Sequence, residues 1–124
     1  MSNPTAGGRR VSLTPGMKDY RYSQYLEDWR LKVERIGAMN YPEEARGKFF
    51  GTLVMSVALR ADGSVDRIIV LRSSGNKVLD DAAKRIVMIA SPFAPFPPDI
   101  RKETDYLDIT RTWAFTRGNA VETR

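Results

Sequence analysis

The chain has 124 residues, 42% hydrophobic and 28% charged, a balance that fits one soluble globular domain and argues against a disordered chain. It contains no cysteine and no histidine, which removes thiolate and imidazole catalysis, Cys/His zinc sites and histidine-ligated haem. The net charge of +5 is spread along the chain and not gathered into a basic stripe, so charge alone points to no nucleic acid.

Residues 1–16, MSNPTAGGRRVSLTPG, are rich in small and turn-forming residues and read as a flexible linker or an expression-derived lead-in. Residues 17–37 predict an amphipathic helix: Tyr22, Tyr25, Leu26, Trp29, Val33 and Ile36 recur at helical spacing, with charged residues opposite. Asp28 and Lys32 are spaced for an i,i+4 pair, and Gly37 is placed to stop the helix. That stripe reads first as packing against the domain, and otherwise as a helix seeking a partner's groove. Asn40-Tyr41-Pro42 then breaks the chain, and Pro42 with Glu43 and Glu44 opens a short helix to about Lys48.

Residues 52–60 alternate, with Leu53, Met55, Val57 and Leu59 on one face, and predict a half-buried strand. Asp62-Gly63 marks a hairpin turn. Residues 65–73 form its second strand, whose Ile68-Ile69-Val70-Leu71 run, apolar on both faces, predicts a central or helix-covered position. Residues 77–90 predict a helix with a wide apolar face. The segment 92–98, PFAPFPP, is excluded from helix and central strand, and Phe93 and Phe96 are expected to pin it to the core. Residues 106–116 alternate again and give a third strand; Leu107, Ile109, Trp113 and Phe115 share a face with Arg111. Residues 118–124 read as a tail. The order of elements predicts an α+β fold, a small three-stranded antiparallel sheet with helices packed on one face, plus the N-terminal amphipathic helix. There is no internal repeat and no apolar run long enough to span a membrane.

Little here carries chemistry. Asp80 and Asp81 are adjacent on a helix and point about 100° apart, so they serve the helix N-terminus better than a catalytic dyad. Ser73-Ser74-Gly75 ahead of a helix reads as turn and cap, or as a weak anion seat. Lys77 lacks a phosphate-loop pattern, and Asp62-Gly63 lacks a calcium ligand ladder. A binding or mechanical module is therefore favoured over an enzyme, with no catalytic residue, cofactor or metal expected. Of the three strands, the third is the best candidate for an exposed edge, where an extended peptide could add as a strand or a second copy could pair.

Taken together, Tyr41-Pro42, Ala45-Arg46, Gly51 opening a strand, Asp62-Gly63-Ser64-Val65, Ser73-Ser74-Gly75, Leu79-Asp80 with Ala82-Ala83, and Phe93-Ala94-Pro95-Phe96-Pro97 form a series that resembles the C-terminal domain of the TonB family. The resemblance spans about residues 38–117 and lies in order and spacing, since no single element is specific. It implies a periplasmic domain, anchored in the inner membrane of a Gram-negative bacterium by a segment outside this sequence. It further implies energy drawn from the proton gradient through an inner-membrane proton-channel complex. The domain would grip the TonB box of outer-membrane receptors, added as a strand beside the third strand, and so drive uptake of siderophores or similar ligands. By the same resemblance the grip would involve Asn40, Tyr41, Leu107, Asp108, Ile109, Thr110, Arg111, Thr112, Trp113, Ala114 and Phe115. One departure is Ala38-Met39-Asn40, where the best-known members carry Gln-Pro-Gln; that leaves Asn40 as the polar contact. The similar TolA domain, another periplasmic tether, is the near alternative; a basic nucleic-acid-binding α+β domain is the distant one.

Overall fold

The computed structural model describes residues 8–14, 16–47 and 49–124. The elements are β1 (Arg10–Leu13), α1 (Tyr20–Met39), a 3-10 turn (Glu43–Ala45), β2 (Gly51–Arg60), β3 (Val65–Arg72), α2 (Lys77–Ala90), α3 (Pro98–Arg101), β4 (Tyr106–Phe115) and β5 (Val121–Thr123). They build an α+β domain around a sheet of five strands in the order β1-β4-β2-β3, with β5 also paired to β4.

β2 and β4 form the centre of the sheet, antiparallel from Gly51 opposite Phe115 to Arg60 opposite Tyr106. Their inward residues Leu53, Met55, Val57, Leu59, Leu107, Ile109 and Trp113 are fully buried, as strict alternation requires of a sheet covered on one face. The β2–β3 turn depends on Gly63, at φ 86°. A Cβ there would lie 2.0 Å from the carbonyl oxygen of Phe93. That close approach also lets the Phe93 N–H donate to the Gly63 carbonyl at 2.8 Å, fixing the Pro-rich segment to the hairpin. Phe93 and Phe96 are buried, so the segment does pin itself to the core.

α1 buries Tyr22, Tyr25, Leu26, Trp29 and Val33. Trp29 meets Trp113 of β4 edge-on at 6.1 Å. Asp19 caps the helix by accepting from the Arg21 N–H at 3.0 Å. α2 buries Leu79, Ala82, Ala83, Ile86, Val87 and Ala90, and Asn76 caps it. No helix among the described residues is long and apolar enough to cross a membrane.

Several expectations need correction. The sheet has five strands and not three, because segments read as lead-in and tail each supply a strand. Arg10–Leu13 pairs with β4 in parallel and Val121–Thr123 pairs with it antiparallel. The helix expected ahead of the domain is not a separate N-terminal element; it follows β1 and its stripe is part of the core. Gly37 does not stop it. The helix runs on to Met39, and Gly37 is required because a Cβ there would lie 2.9 Å from the Val121 Cβ. Asp28 accepts from Gln24 and Lys32 reaches the Pro92 carbonyl, so the expected Asp28–Lys32 pair gives way to those partners. The 3-10 turn is shorter than the helix expected to Lys48, whose own conformation lies outside the described residues. Pro98, the last residue of the segment 92–98 excluded from helix, instead opens a helical turn, Pro98–Arg101, where proline suits the first position. Finally β3, expected to be central or helix-covered, is an edge strand that packs Ile68 and Val70 against the core and leaves Ile69 and Leu71 exposed, while the third long strand, expected at an exposed edge, is the central one.

Candidate functional site: the outer edge of β4

One side of β4 is filled by β2 along its whole length. The other side, where strand addition is expected, is shared by two short segments. β1 covers Tyr106 to Ile109 in parallel register, Arg10 opposite Tyr106 and Leu13 opposite Ile109. β5 covers Trp113 to Phe115. The Thr112 and Arg124 backbones add a reciprocal pair, with Thr112 N–H to the Arg124 carbonyl at 3.0 Å and Arg124 N–H to the Thr112 carbonyl at 2.8 Å. The edge is therefore closed at both ends by the chain itself.

The β1 end is held from outside. Arg9 donates through Nε and Nη2 to the two carboxylate oxygens of Asp105, each at 3.1 Å, and through Nη1 to the Lys102 carbonyl at 2.7 Å. Those side chains keep about half of their surface in solvent (53% and 45%), which weakens the pair. Arg10 makes the same two-pronged contact with Asp108, at 3.0 and 2.9 Å, and lies over the Tyr106 ring. The hydrogen bonds from Arg9 hold the Asp105 carboxyl at about 2, well below its ordinary value. Of the four β1 residues only Leu13 is fully buried.

The β5 end is held from inside. Glu34 of α1 accepts from the Thr123 N–H at 2.8 Å. Arg111, buried on the core face of β4, donates to the Thr123 carbonyl at 3.1 Å. Burial pushes its guanidinium below the usual range. Val121 packs on Gly37 in space that only a glycine leaves open.

The residues expected to form the grip fall into three groups. Leu107, Ile109, Trp113 and Phe115 are core residues, Arg111 ties β5 down, and Ala114 is buried by position. Asp108, Thr110 and Thr112 carry their side chains on the face away from the helices, with Thr110 exposed. Asn40 caps α1, its side chain donating to the Ile36 carbonyl at 2.9 Å. Tyr41 is buried, edge-on to Phe115 at 5.7 Å, so it supports the β5 end of β4 and offers no open surface. The residues that sequence reasoning missed are Arg9, Arg10, Asp105 and Glu34. The only signal was the three-residue spacing of Asp105 and Asp108 and the Arg-Arg pair opening an alternating Val-Ser-Leu.

The carboxylates considered for catalysis face apart. Asp81 pairs with Lys77 at 2.8 Å. Asp80 accepts from the Ser74 N–H at 2.9 Å, from the Ser74 hydroxyl at 2.7 Å, and from the Ser73 hydroxyl. The Gly75 N–H donates to the Ser73 hydroxyl oxygen at 2.9 Å, so the donors of the Ser-Ser-Gly turn that could have seated an anion are taken by Asp80 and by the turn itself. Partial burial pushes the Asp80 carboxyl up, but those bonds outweigh it and leave the carboxyl below its ordinary value.

The chain matches the protein family described as Gram-negative bacterial TonB protein C-terminal, over residues 37–116. Among solved structures it is similar to the solution structure of the TonB C-terminal domain of Helicobacter pylori. The identity is 25% and the TM-score 0.57, covering 82% of this chain and 87% of that one. No curated protein matches it.

Proposed function

Because the chain belongs to the family of Gram-negative bacterial TonB protein C-terminal domains, we propose that it is the receptor-gripping end of a periplasmic energy transducer. In this reading, the TonB box of an outer-membrane receptor adds as a strand to the outer edge of β4. Energy from the inner-membrane proton-channel complex reaches the receptor plug through that strand pair and drives uptake of siderophores or similar ligands. The full-length protein is anchored in the inner membrane and this domain works in the periplasm. The observation that carries the reading is the β1–β4 pair: the edge over Tyr106–Ile109 takes up an extended segment in parallel. Main-chain hydrogen bonds supply affinity in such additions, and alternate side-chain positions supply register. A strand pair loaded along its length shares the force among its hydrogen bonds.

The grip centres on Tyr106 to Ile109, because Asn40 and Tyr41 are committed to the cap and the core. The test is an NMR titration of the labelled domain with a TonB-box peptide from a receptor of the same bacterium. Shifts concentrated at the backbone of residues 105–110 are expected. No shifts at about millimolar peptide, an affinity of only about 4 kcal/mol, in the folded domain and equally in an Arg9→Ala, Arg10→Ala chain whose β1 contacts are weakened, would overturn the reading.

A further inference from the structure

The two segments that close the β4 edge are held by different kinds of contact. We propose that β1 is a self-blocking strand: the segment from Arg9 to Leu13 occupies the receptor's place on β4 and must leave before an external strand can pair. This rests on the strand-addition reading above and adds its regulation.

The parallel pairing is confined to four register positions, Arg10–Tyr106 to Leu13–Ile109. It joins residues nearly a hundred positions apart, so no local turn enforces it. The latch is made of two arginine–carboxylate contacts, Arg9–Asp105, about half exposed, and Arg10–Asp108, partly exposed. Such contacts weaken with salt and with competing charge. Departure of β1 would not unravel α1. Asp19 caps α1, and Arg21 pairs with Asp19 at 2.8 Å and with Glu103 at 2.7 Å, so the helix start is fixed independently. Leaving would free the Asp105 and Tyr106 N–H groups, which now donate to the Arg9 carbonyl at 2.8 and 3.0 Å. It would also vacate the site of Leu13, which is fully buried. The strand that replaces β1 is therefore extended, runs parallel to β4 and carries an apolar residue where Leu13 now sits. β5, tied to Glu34 and Arg111, stays in place.

A tethered segment competes at a high effective concentration, so its latch sets the apparent affinity of any rival. Two altered full-length chains test this. Arg9→Ala with Arg10→Ala removes the latch. Ser12→Cys with Asp108→Cys joins register partners in a chain that has no other cysteine, so the strand can be stapled and released by redox. The probe is a fluorescent peptide with the chain's own residues 8–15. The unlatched chain is expected to bind it at least about tenfold more tightly than the parent. The oxidised staple is expected to bind none, with binding restored on reduction. Equal affinity for parent, unlatched and oxidised chains would overturn the proposal. A TonB-box peptide run alongside separates the two readings. If it binds the stapled chain as well as the unlatched one, the block fails and the receptor reading stands. If the self-peptide follows the latch while the box peptide binds nothing, the block stands and the receptor reading fails.

Discussion

β1 and β5 lie on the same edge of the same strand, and the contrast between them is instructive. β5 has two of its three residues buried, a buried arginine on its carbonyl and a glutamate from α1 on its N–H. β1 has one of its four residues buried, and its two side-chain ion pairs are half exposed at Arg9–Asp105 and partly exposed at Arg10–Asp108. Backbone pairing alone looks alike at the two ends. The side chains behind it decide which end is structural and which is exchangeable, because contacts buried in low dielectric hold where exposed ones are screened.

The sharpest way to break the comparison is to place a charge in each strand. Val121→Asp puts a carboxylate against Gly37, where no space or solvent is free, and should cost about 4 kcal/mol. Val11→Asp, at a half-exposed place in β1, should cost about 1 kcal/mol. Denaturant midpoints measure both; equal losses would make the two strands equivalent. Next, Glu34→Ala leaves the Thr123 N–H without its carboxylate and should cost about 2 kcal/mol. It should also speed amide exchange in β5 while leaving β1 as it was.

A smaller effect belongs to the latch. Arg9→Ala with Arg10→Ala should lower the unfolding midpoint, though by less than Val121→Asp or Glu34→Ala. It should also raise exchange of the Tyr106 amide by about tenfold without touching that of Thr112. Smallest is the response to pH. The Asp105 carboxyl is held at about 2 in the fold against an ordinary 3.8. A carboxyl held down in this way stabilises the fold above its unfolded value and loses that contribution as pH falls through the folded one. Val11 and Leu13 methyl shifts should therefore move between about pH 4 and about pH 2. In Asp105→Asn they should stay flat over that range.

Much of this architecture is legible in the sequence, and the reason is length. β2 and β4 alternate over ten residues each, and α2 repeats its apolar face over four turns, so periodicity alone places them. β1 and β5 are too short to show a period, and their pairing is decided by residues far away in the chain. Gly37 illustrates the same limit. Its sequence context reads as a helix stop, but what selects a glycine is Val121, more than eighty residues on. β3 misleads in the other direction: its apolar run promises burial, yet Ile69 and Leu71 face solvent on the edge. Alternation and resemblance point to the edge of β4 as the docking line. That it is occupied depends on Arg9, Arg10, Asp105 and Asp108 meeting in space, which no local pattern encodes.

One measurement tests the central contrast without any substitution. The Tyr106 N–H donates to β1 through the Arg9 carbonyl, and the Thr112 N–H donates to the β5 side through the Arg124 carbonyl, both at 3.0 Å and both on the outer edge of β4. Native-state amide exchange of the intact chain, corrected for intrinsic rates, compares the two directly. The Tyr106 amide is expected to open at least about tenfold more often than the Thr112 amide, with a gap that widens with salt. Equal protection of the two amides, or stronger protection at Tyr106, would contradict that contrast.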